Sequence, residues 1–316
     1  MTSRQRALLA LLCSMLASRG AEALQPRTLA AALGYPDSAR LVILHADDAG
    51  MTPGINEATW RALRAGTVNS ASVLTVAPFV ERFSRARGRD EQADLGVHLT
   101  VTSESDRMRW APAAGASTVP SLVDDTGHLP YRLSPTADTL QLEVELLAQV
   151  ARARALGLAP THVDSHQGAL YFSGAPVFRT WRRAAKRSCL PMPIPRAFFG
   201  EMPYLVEALA DGHVAINDVR IINPNVPPPE WPAFYDRVVR ELAVGVTVII
   251  VHLGLDTAAE RQLFASHAAW GADWRARDAG VVASTAFREA LRARGVALVT
   301  WGQVAAAQPI CAAGPA

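Results

Sequence analysis

The chain is poor in cysteine, with three among 316 residues. None forms a Cys-x-x-Cys pair, which argues against a thiolate metal site. Net charge is also scarce: 31 Lys and Arg against 29 Asp and Glu leave a formal charge of +2. The arginines are scattered through helical segments, so no basic face predicts a nucleic-acid partner. No apolar run is long enough to span a bilayer comfortably, and there is no internal repeat or low-complexity tail. What the chain does have is a hydrophobic content of 50%, enough for one large α/β domain with a substantial core.

The amino terminus reads as separate from that domain. Arg4 and Arg6 precede an apolar run over residues 7–17, and Ala21-Glu22-Ala23 supplies a small-x-small site. Together they predict a secretory signal peptide over residues 1–23, hence export to the periplasm or beyond, with no stable membrane insertion after cleavage. Cys13 follows Leu12 where a small residue would be needed, so no lipid anchor is expected. Cys189 and Cys311 then remain, and could pair in an oxidising compartment. Residues 24–39 read as an extension, 40–305 as a single domain, and 306–316 as a tail.

Within the domain, apolar runs alternate with helical patterns. Strands are expected near 41–50, 70–77, 95–102, 161–165, 190–195, 218–222, 246–254 and 296–300. Helices are expected near 28–33, 53–66, 79–87, 137–156, 176–189, 231–242 and 287–294. In the 137–156 helix the apolar stripe is Leu140, Val144, Leu147 and Val150. Strands separated by helices predict a mainly parallel sheet, and seven or eight such units favour a (β/α) barrel, incomplete or irregular, over an open sheet. Residues 103–131 form a long loop punctuated by Trp110, Val119, Leu122 and Leu129; it reads as a packed lid or substrate wall.

Ionisable residues gather at the strand ends. The first strand, Leu41-Val42-Ile43-Leu44, runs into His45-Ala46-Asp47-Asp48-Ala49-Gly50. The third carries His98, the fourth ends in Asp164 and His166, and the 246–254 strand ends in His252. In a parallel barrel every strand brings its carboxyl end to one face, so these residues are expected to converge. Adjacent residues on an extended strand point to opposite sides, and two carboxylates this close repel unless a cation lies between them. A lone histidine on an apolar strand is ordinarily a core residue; three at strand ends beside a carboxylate pair are harder to place there. One Asp and two neutral imidazoles make a common ligand set for Zn²⁺ and related divalent ions. Such an ion lowers the pKa of its bound water toward ~7, and a second carboxylate can take the proton.

Four motifs in order, His45-Ala46-Asp47-Asp48-Ala49-Gly50, Gly96-Val97-His98-Leu99-Thr100, His162-Val163-Asp164-Ser165-His166-Gln167 and Val251-His252-Leu253-Gly254, resemble the YdjC-like carbohydrate deacetylases of the ChbG/HpnK type. The segment from Trp270 to Asp278 and the ending Leu298-Val299-Thr300-Trp301 are similar too. The resemblance covers residues 40–305 and implies a barrel related to the polysaccharide deacetylases. It implies that Asp47 is the general base, that Asp48, His98 and His166 hold one divalent ion (Zn, Co or Mg), and that His252 is the catalytic acid. Asp164 and His45 would orient these groups from behind.

The implied reaction is hydrolysis of an N-acetyl group on an amino-sugar carbohydrate or glycolipid. Another amide, ester or phosphate bond is the alternative, and a non-catalytic carbohydrate binder the second. A homo-oligomer is left open. The loop after His166 departs from many relatives in having Gly168 where they carry histidine. It continues into Ala169-Leu170-Tyr171-Phe172, apolar for a sugar site, although Tyr171 or Trp110 could stack on a sugar face. His162 is expected to face away from His166. His128, His213 and His267 are assigned no role, and the tryptophans near the carboxyl end are read as core.

Overall fold

The computed structural model describes residues 28–88 and 92–311; the expected leader, residues 1–23, lies outside them. A short helix α1 (Leu29–Ala32) precedes strand β1 (Arg40–Ala49) and helix α2 (Pro53–Arg64). Then follow β2 (Ser70–Val73), α3 (Val80–Arg85), β3 (Leu95–Leu99), the long helix α4 (Thr139–Ala155) and β4 (Val163–Ser165). Helices α5 (Ala169–Phe172) and α6 (Ala175–Arg187) lead to three short strands, β5 (Ile194–Pro195), β6 (Ala215–Ile216) and β7 (Asp218–Ile221). The chain closes with α7 (Trp231–Arg240), β8 (Gly245–Val251), α8 (Ala258–Leu263), α9 (Ala272–Val282), α10 (Thr285–Ala293), β9 (Val296–Leu298) and α11 (Trp301–Ala307). Helices α8, α9 and α11 have no counterpart in the sequence reading. Among the described residues no helix is long and apolar enough to cross a membrane.

Strand β1 is the centre of the sheet, whose order is β4-β3-β2-β1-β8-β7, every pair parallel. Its run of β-branched and aliphatic residues suits a strand covered on both faces. Leu41 and Ile43 join Val246, Val248, Val299 and Trp301 in one apolar cluster, while Val42, Leu44 and Ala46 join the larger cluster that includes the helices. Alternation thus sends odd-numbered side chains of β1 into the curl of the sheet and even-numbered ones toward the helices. One edge of β1 is shared: β9 pairs with residues 40–42 and β2 with the far end.

The sheet curls into an irregular barrel, as the sequence pattern predicts. Between β4 and β8 the wall is made of fragments. Val163 N donates to Pro191 O at 2.9 Å, β5 pairs with β6, and Asn217 N donates to Val246 O at 2.7 Å. Beyond this wall the disulfide Cys189–Cys311 fastens the end of the described chain to the residues after α6.

Helix α4 corrects one expectation. Of the expected stripe, Val150 is buried and Leu147 half-buried, but Leu140 and Val144 are 71% and 45% exposed, and the buried face is Leu142, Glu145, Leu146, Gln149, Val150 and Ala153. Two polar residues are buried because each has partners. The Glu145 carboxylate accepts from Ala113 N and Ala114 N, both at 2.8 Å, and from Gln149 Nε2 at 2.7 Å. Gln149 also accepts from Thr100 N and donates to Thr100 O. Satisfied polar groups can occupy a core face at little cost, and here they rotate the helix away from its apolar stripe. Through Glu145 the helix clamps the 103–131 loop, whose Trp110, Val119, Leu122 and Leu129 are all buried.

Glu145→Ala would leave two half-buried N–H groups, of Ala113 and Ala114, without an acceptor. It is expected to lower unfolding free energy by about 1–3 kcal/mol and to speed limited proteolysis within 103–131. Glu145→Gln, which keeps a carbonyl acceptor, should cost less in the same urea-unfolding comparison.

Candidate metal and catalytic site

The site lies where β1, β3, β4 and β8 end. Strand alternation aims Asp47 inward, as it does His45, and on an undistorted strand Asp48 would point the other way. It does not. Asp48 has φ 68°, and the β1–β2 register shifts between Ala46 and Ala49. A left-handed residue at a bulge re-aims its side chain, so both carboxylates reach the same pocket. The following turn is tightly determined. Gly50 has φ 98°, and a Cβ there would lie 3.0 Å from Leu74 O. Thr52 caps α2, and Glu260 of α8 accepts from Thr52 Oγ1 at 2.5 Å and Gly54 N at 2.8 Å.

Register places the rest. His98 and Asp164 are partners across β3 and β4, so their side chains stand side by side, with His98 Nδ1 2.7 Å from Asp164 Oδ1. His45 and Ser70 are partners across β1 and β2, and His45 Nδ1 lies 2.9 Å from Ser70 Oγ. The other His45 nitrogen, Nε2, lies 2.9 Å from Asp164 Oδ2 and 3.2 Å from Asp47 Oδ1. Asp164 therefore bridges two histidines. His166, just past β4, brings Nδ1 to 3.3 Å from Asp48 Oδ1, and His98 Nε2 lies 3.5 Å from the same oxygen. His252 Nε2 is 3.9 Å from Asp48 Oδ2.

Three residues absent from the sequence reading complete the cluster. Arg275 of α9 places a guanidinium nitrogen 2.8 Å from Asp48 Oδ2. Glu104 lies 3.2 Å from His166 Nε2. Asp278, also on α9, accepts from His252 N at 2.7 Å and from the Tyr235 hydroxyl. Arg275 and Asp278 fall in the 270–278 segment that carries the family resemblance, which was the available signal. Glu104 had only its place early in a loop that follows a strand end.

The electrostatics follow from burial and neighbours. Burial would raise the Asp48 carboxyl, but Arg275, and after it His166 and His98, hold it well below the usual range. Asp164 is likewise lowered against burial by His98 and His45. Burial disfavours the protonated form of His45, yet Asp164 and Asp47 lift it to about 9. Burial dominates at His252 and lowers it, and it raises Asp278 to about 7.

The donors suit a divalent ion. Asp48 Oδ1 is buried without a hydrogen-bond partner, and one ligand atom each from Asp48, His98 and His166 lies within 4.8 Å of the others. The separations of 3.3 and 3.5 Å from Asp48 Oδ1 match the roughly 3.3 Å between ligands that tetrahedral bonds of about 2.0–2.1 Å produce. A second set, His45, His162 and Asp164, is equally close, but both His45 nitrogens are already engaged. His162 packs edge-on against His45, ring centroids 5.0 Å apart. It is fully buried, stacks on Trp301 and is pushed down to about 4 by burial and then by His45. Gly96 makes the room, since a Cβ there would lie 2.3 Å from His162 Nε2.

A cavity of about 450 Å³ opens on the cluster, walled by Tyr171, Phe172, Phe198, Ile221 and Trp270 among others. Trp110 is not part of it. It is buried 6.1 Å from the His166 ring and donates to Thr102 O, so it supports the site and offers no sugar platform. Phe172, 67% exposed, sits at the rim. Trp274 and Trp301 are buried as expected, but Trp301 also lines the cavity, as do Trp270 and His267.

A family model for YdjC-like protein matches residues 41–293. The chain belongs to the YdjC-like family. A carbohydrate deacetylase from Thermus thermophilus is 31% identical over 250 residues, spanning 76% of this chain and 84% of that one. Carbohydrate deacetylases from Geobacillus stearothermophilus and Thermoanaerobacter pseudethanolicus are 33% and 28% identical over 129 and 134 residues, and this chain spans about half the length of each. A solved structure from Enterococcus faecalis, named for cellobiose-phosphate cleavage, superposes with a TM-score of 0.69 at 22% identity, covering 84% of this chain and 98% of that one. That likeness shows a shared fold.

If Asp48, His98 and His166 are the ligands, Asp48→Asn and His98→Gln should each abolish binding of one equivalent of Zn²⁺ to metal-stripped protein. Asp164→Asn, which disturbs the far side of His98 and the contact with His45 but no ligand atom, should weaken it by ~10–100-fold, and Asp47→Asn should leave it largely intact. Titration against a chelating indicator measures all four.

Proposed function

We propose that this YdjC-like protein is a metal-dependent hydrolase that removes an N-acetyl group from an amino-sugar-containing carbohydrate or glycolipid. The observation that carries the reading is the unequal treatment of two adjacent carboxylates. Asp48 is pinned by Arg275 and faces two imidazoles, as a ligand should be. Asp47, on the same cavity, has no guanidinium and only contacts of 3.2 Å or longer, so it keeps an oxygen available for a proton. The deacetylase relatives support the substrate class.

In this reading Asp48, His98 and His166 hold one divalent ion, which when bound polarises the acetyl carbonyl and lowers the pKa of water. The Asp47 carboxylate takes the proton of the attacking water. His252, which burial holds neutral in the resting site, takes up a proton from solvent as charge develops beside it. It passes that proton from Nε2 to the departing amine nitrogen, while the proton on Asp47 leaves with the products. The Asp278 carboxylate accepts from the His252 backbone N–H. His45 and Asp164 keep the His98 ring oriented.

We also propose that the protein is exported. The charged and apolar segment within residues 1–23 supports this, and so does the Cys189–Cys311 disulfide, since such bonds persist in oxidising compartments.

The function is tested by acetate release from a panel of N-acetylated sugars, with metal-stripped protein and Zn²⁺, Co²⁺, Mg²⁺ or nothing restored. Metal-dependent release is expected, and Asp47→Asn should reduce kcat by ~10²–10⁴-fold while still binding metal. Release that is indifferent to Asp47 would remove the assignment of the base. No release from any sugar by metal-loaded protein would remove the deacetylase reading.

A further inference from the structure

Glu104 is a further carboxylate at the cluster, only 7% exposed, and it stands at the start of the 103–131 loop. Its backbone is fixed by that loop: Glu104 N donates to Met108 O at 3.1 Å, and Ser103 N to Pro130 O at 2.7 Å. Its Oε2 accepts from Gln167 Nε2 at 2.9 Å, and Gln167 Oε1 in turn accepts from Thr102 Oγ1 at 2.9 Å. The same Oε2 lies 3.2 Å from His166 Nε2, within ion-pair distance but not aligned for a hydrogen bond, so that Nε2 is a buried nitrogen with no other partner. Gln167 follows His166 directly and has φ 54°, so side chain and backbone together set where the His166 ring stands.

The two nitrogens of His166 face different carboxylates. Nδ1 looks toward Asp48 Oδ1 at 3.3 Å, the oxygen that His98 Nε2 also approaches; Nε2 looks toward Glu104. A neutral imidazole that offers one nitrogen to a cation carries its proton on the other. A carboxylate beside the far nitrogen keeps the proton there. The opposite tautomer would set the Nε2 lone pair against the Glu104 oxygen and direct the Nδ1 proton at Asp48 Oδ1. His98 is arranged in the reverse sense, with Nδ1 on Asp164 and Nε2 toward Asp48.

We infer that Glu104 is a positioning residue for His166: it holds the Nε2 proton and leaves Nδ1 as the nitrogen offered to the ion, so that His166 and His98 serve the site through opposite ring nitrogens. This rests on the metal reading given above. It also makes the 103–131 loop a support of the metal centre, because the loop carries the carboxylate.

The experiment uses the full chain labelled with ¹⁵N-histidine and loaded with Zn²⁺. Long-range imidazole correlations should show the proton of His166 on Nε2 and that of His98 on Nδ1. By chelator competition, Glu104→Ala should bind Zn²⁺ ~10–100-fold more weakly than wild type. Glu104→Gln, which retains a carbonyl acceptor, should recover most of that loss, and Asp106→Asn on the same loop should bind as wild type does. A His166 proton on Nδ1, or wild-type affinity in Glu104→Ala, would overturn the assignment and leave the metal reading standing. Failure of wild type to bind Zn²⁺ would remove both. Should Glu104→Ala not fold, the tautomers of the wild-type protein decide the matter alone.

Discussion

The left-handed backbone of Asp48 is the constraint on which the site depends. A regular strand would deliver one carboxylate of the Asp47-Asp48 pair to the barrel interior and send the other to the helices, where Val42, Leu44 and Ala46 point. The bulge at the end of β1 breaks that alternation once, at the last possible place. A non-glycine residue at positive φ is costly, and the surroundings hold it there. Arg275 grips the carboxylate, Gly50 lets the chain turn against Leu74, and Glu260 ties down the start of α2. Helices α8 and α9, far along the chain, therefore stabilise the geometry of the first strand.

Charge is the second constraint. Asp47, Asp48, Asp164 and Glu104 are all buried around the cluster, with Arg275 as the buried guanidinium among them. Buried carboxylates this close need compensating positive charge. His45, raised to about 9 by Asp164 and Asp47 against burial, supplies part of it. A divalent ion on Asp48, His98 and His166 would supply the rest. On the proposed reading the same arrangement would divide the roles among the carboxylates, with Asp48 binding, Asp47 accepting a proton, and Asp164 and Glu104 orienting histidines.

Much of this was legible in the sequence. The alternation of strands and helices indicated a parallel barrel, and strand-end position singled out Asp47, Asp48, His98, Asp164, His166 and His252, which the structure does bring together. Periodicity could not show which face of α4 is buried, because Glu145 and Gln149 are held there by hydrogen bonds to distant backbone. Nor could it reveal Glu104, Arg275 or Asp278. Their approach to the site comes from loop closure and helix packing, which leave no periodic pattern; for Arg275 and Asp278 the resemblance of the 270–278 segment was the signal. For Trp110 the sequence supports two readings: packing within the 103–131 loop, which the structure bears out, and stacking on a sugar, which it does not, because the ring is buried in that loop.

The most direct measurement is an anomalous-difference map from crystals soaked in Zn²⁺. The expected result is a peak bonded to Asp48, His98 Nε2 and His166 Nδ1, with Asp47 facing the cavity outside bonding distance and Asp48 still at positive φ. A peak bonded to Asp47, or one at His45, His162 and Asp164, would contradict the assignment of ligand and base.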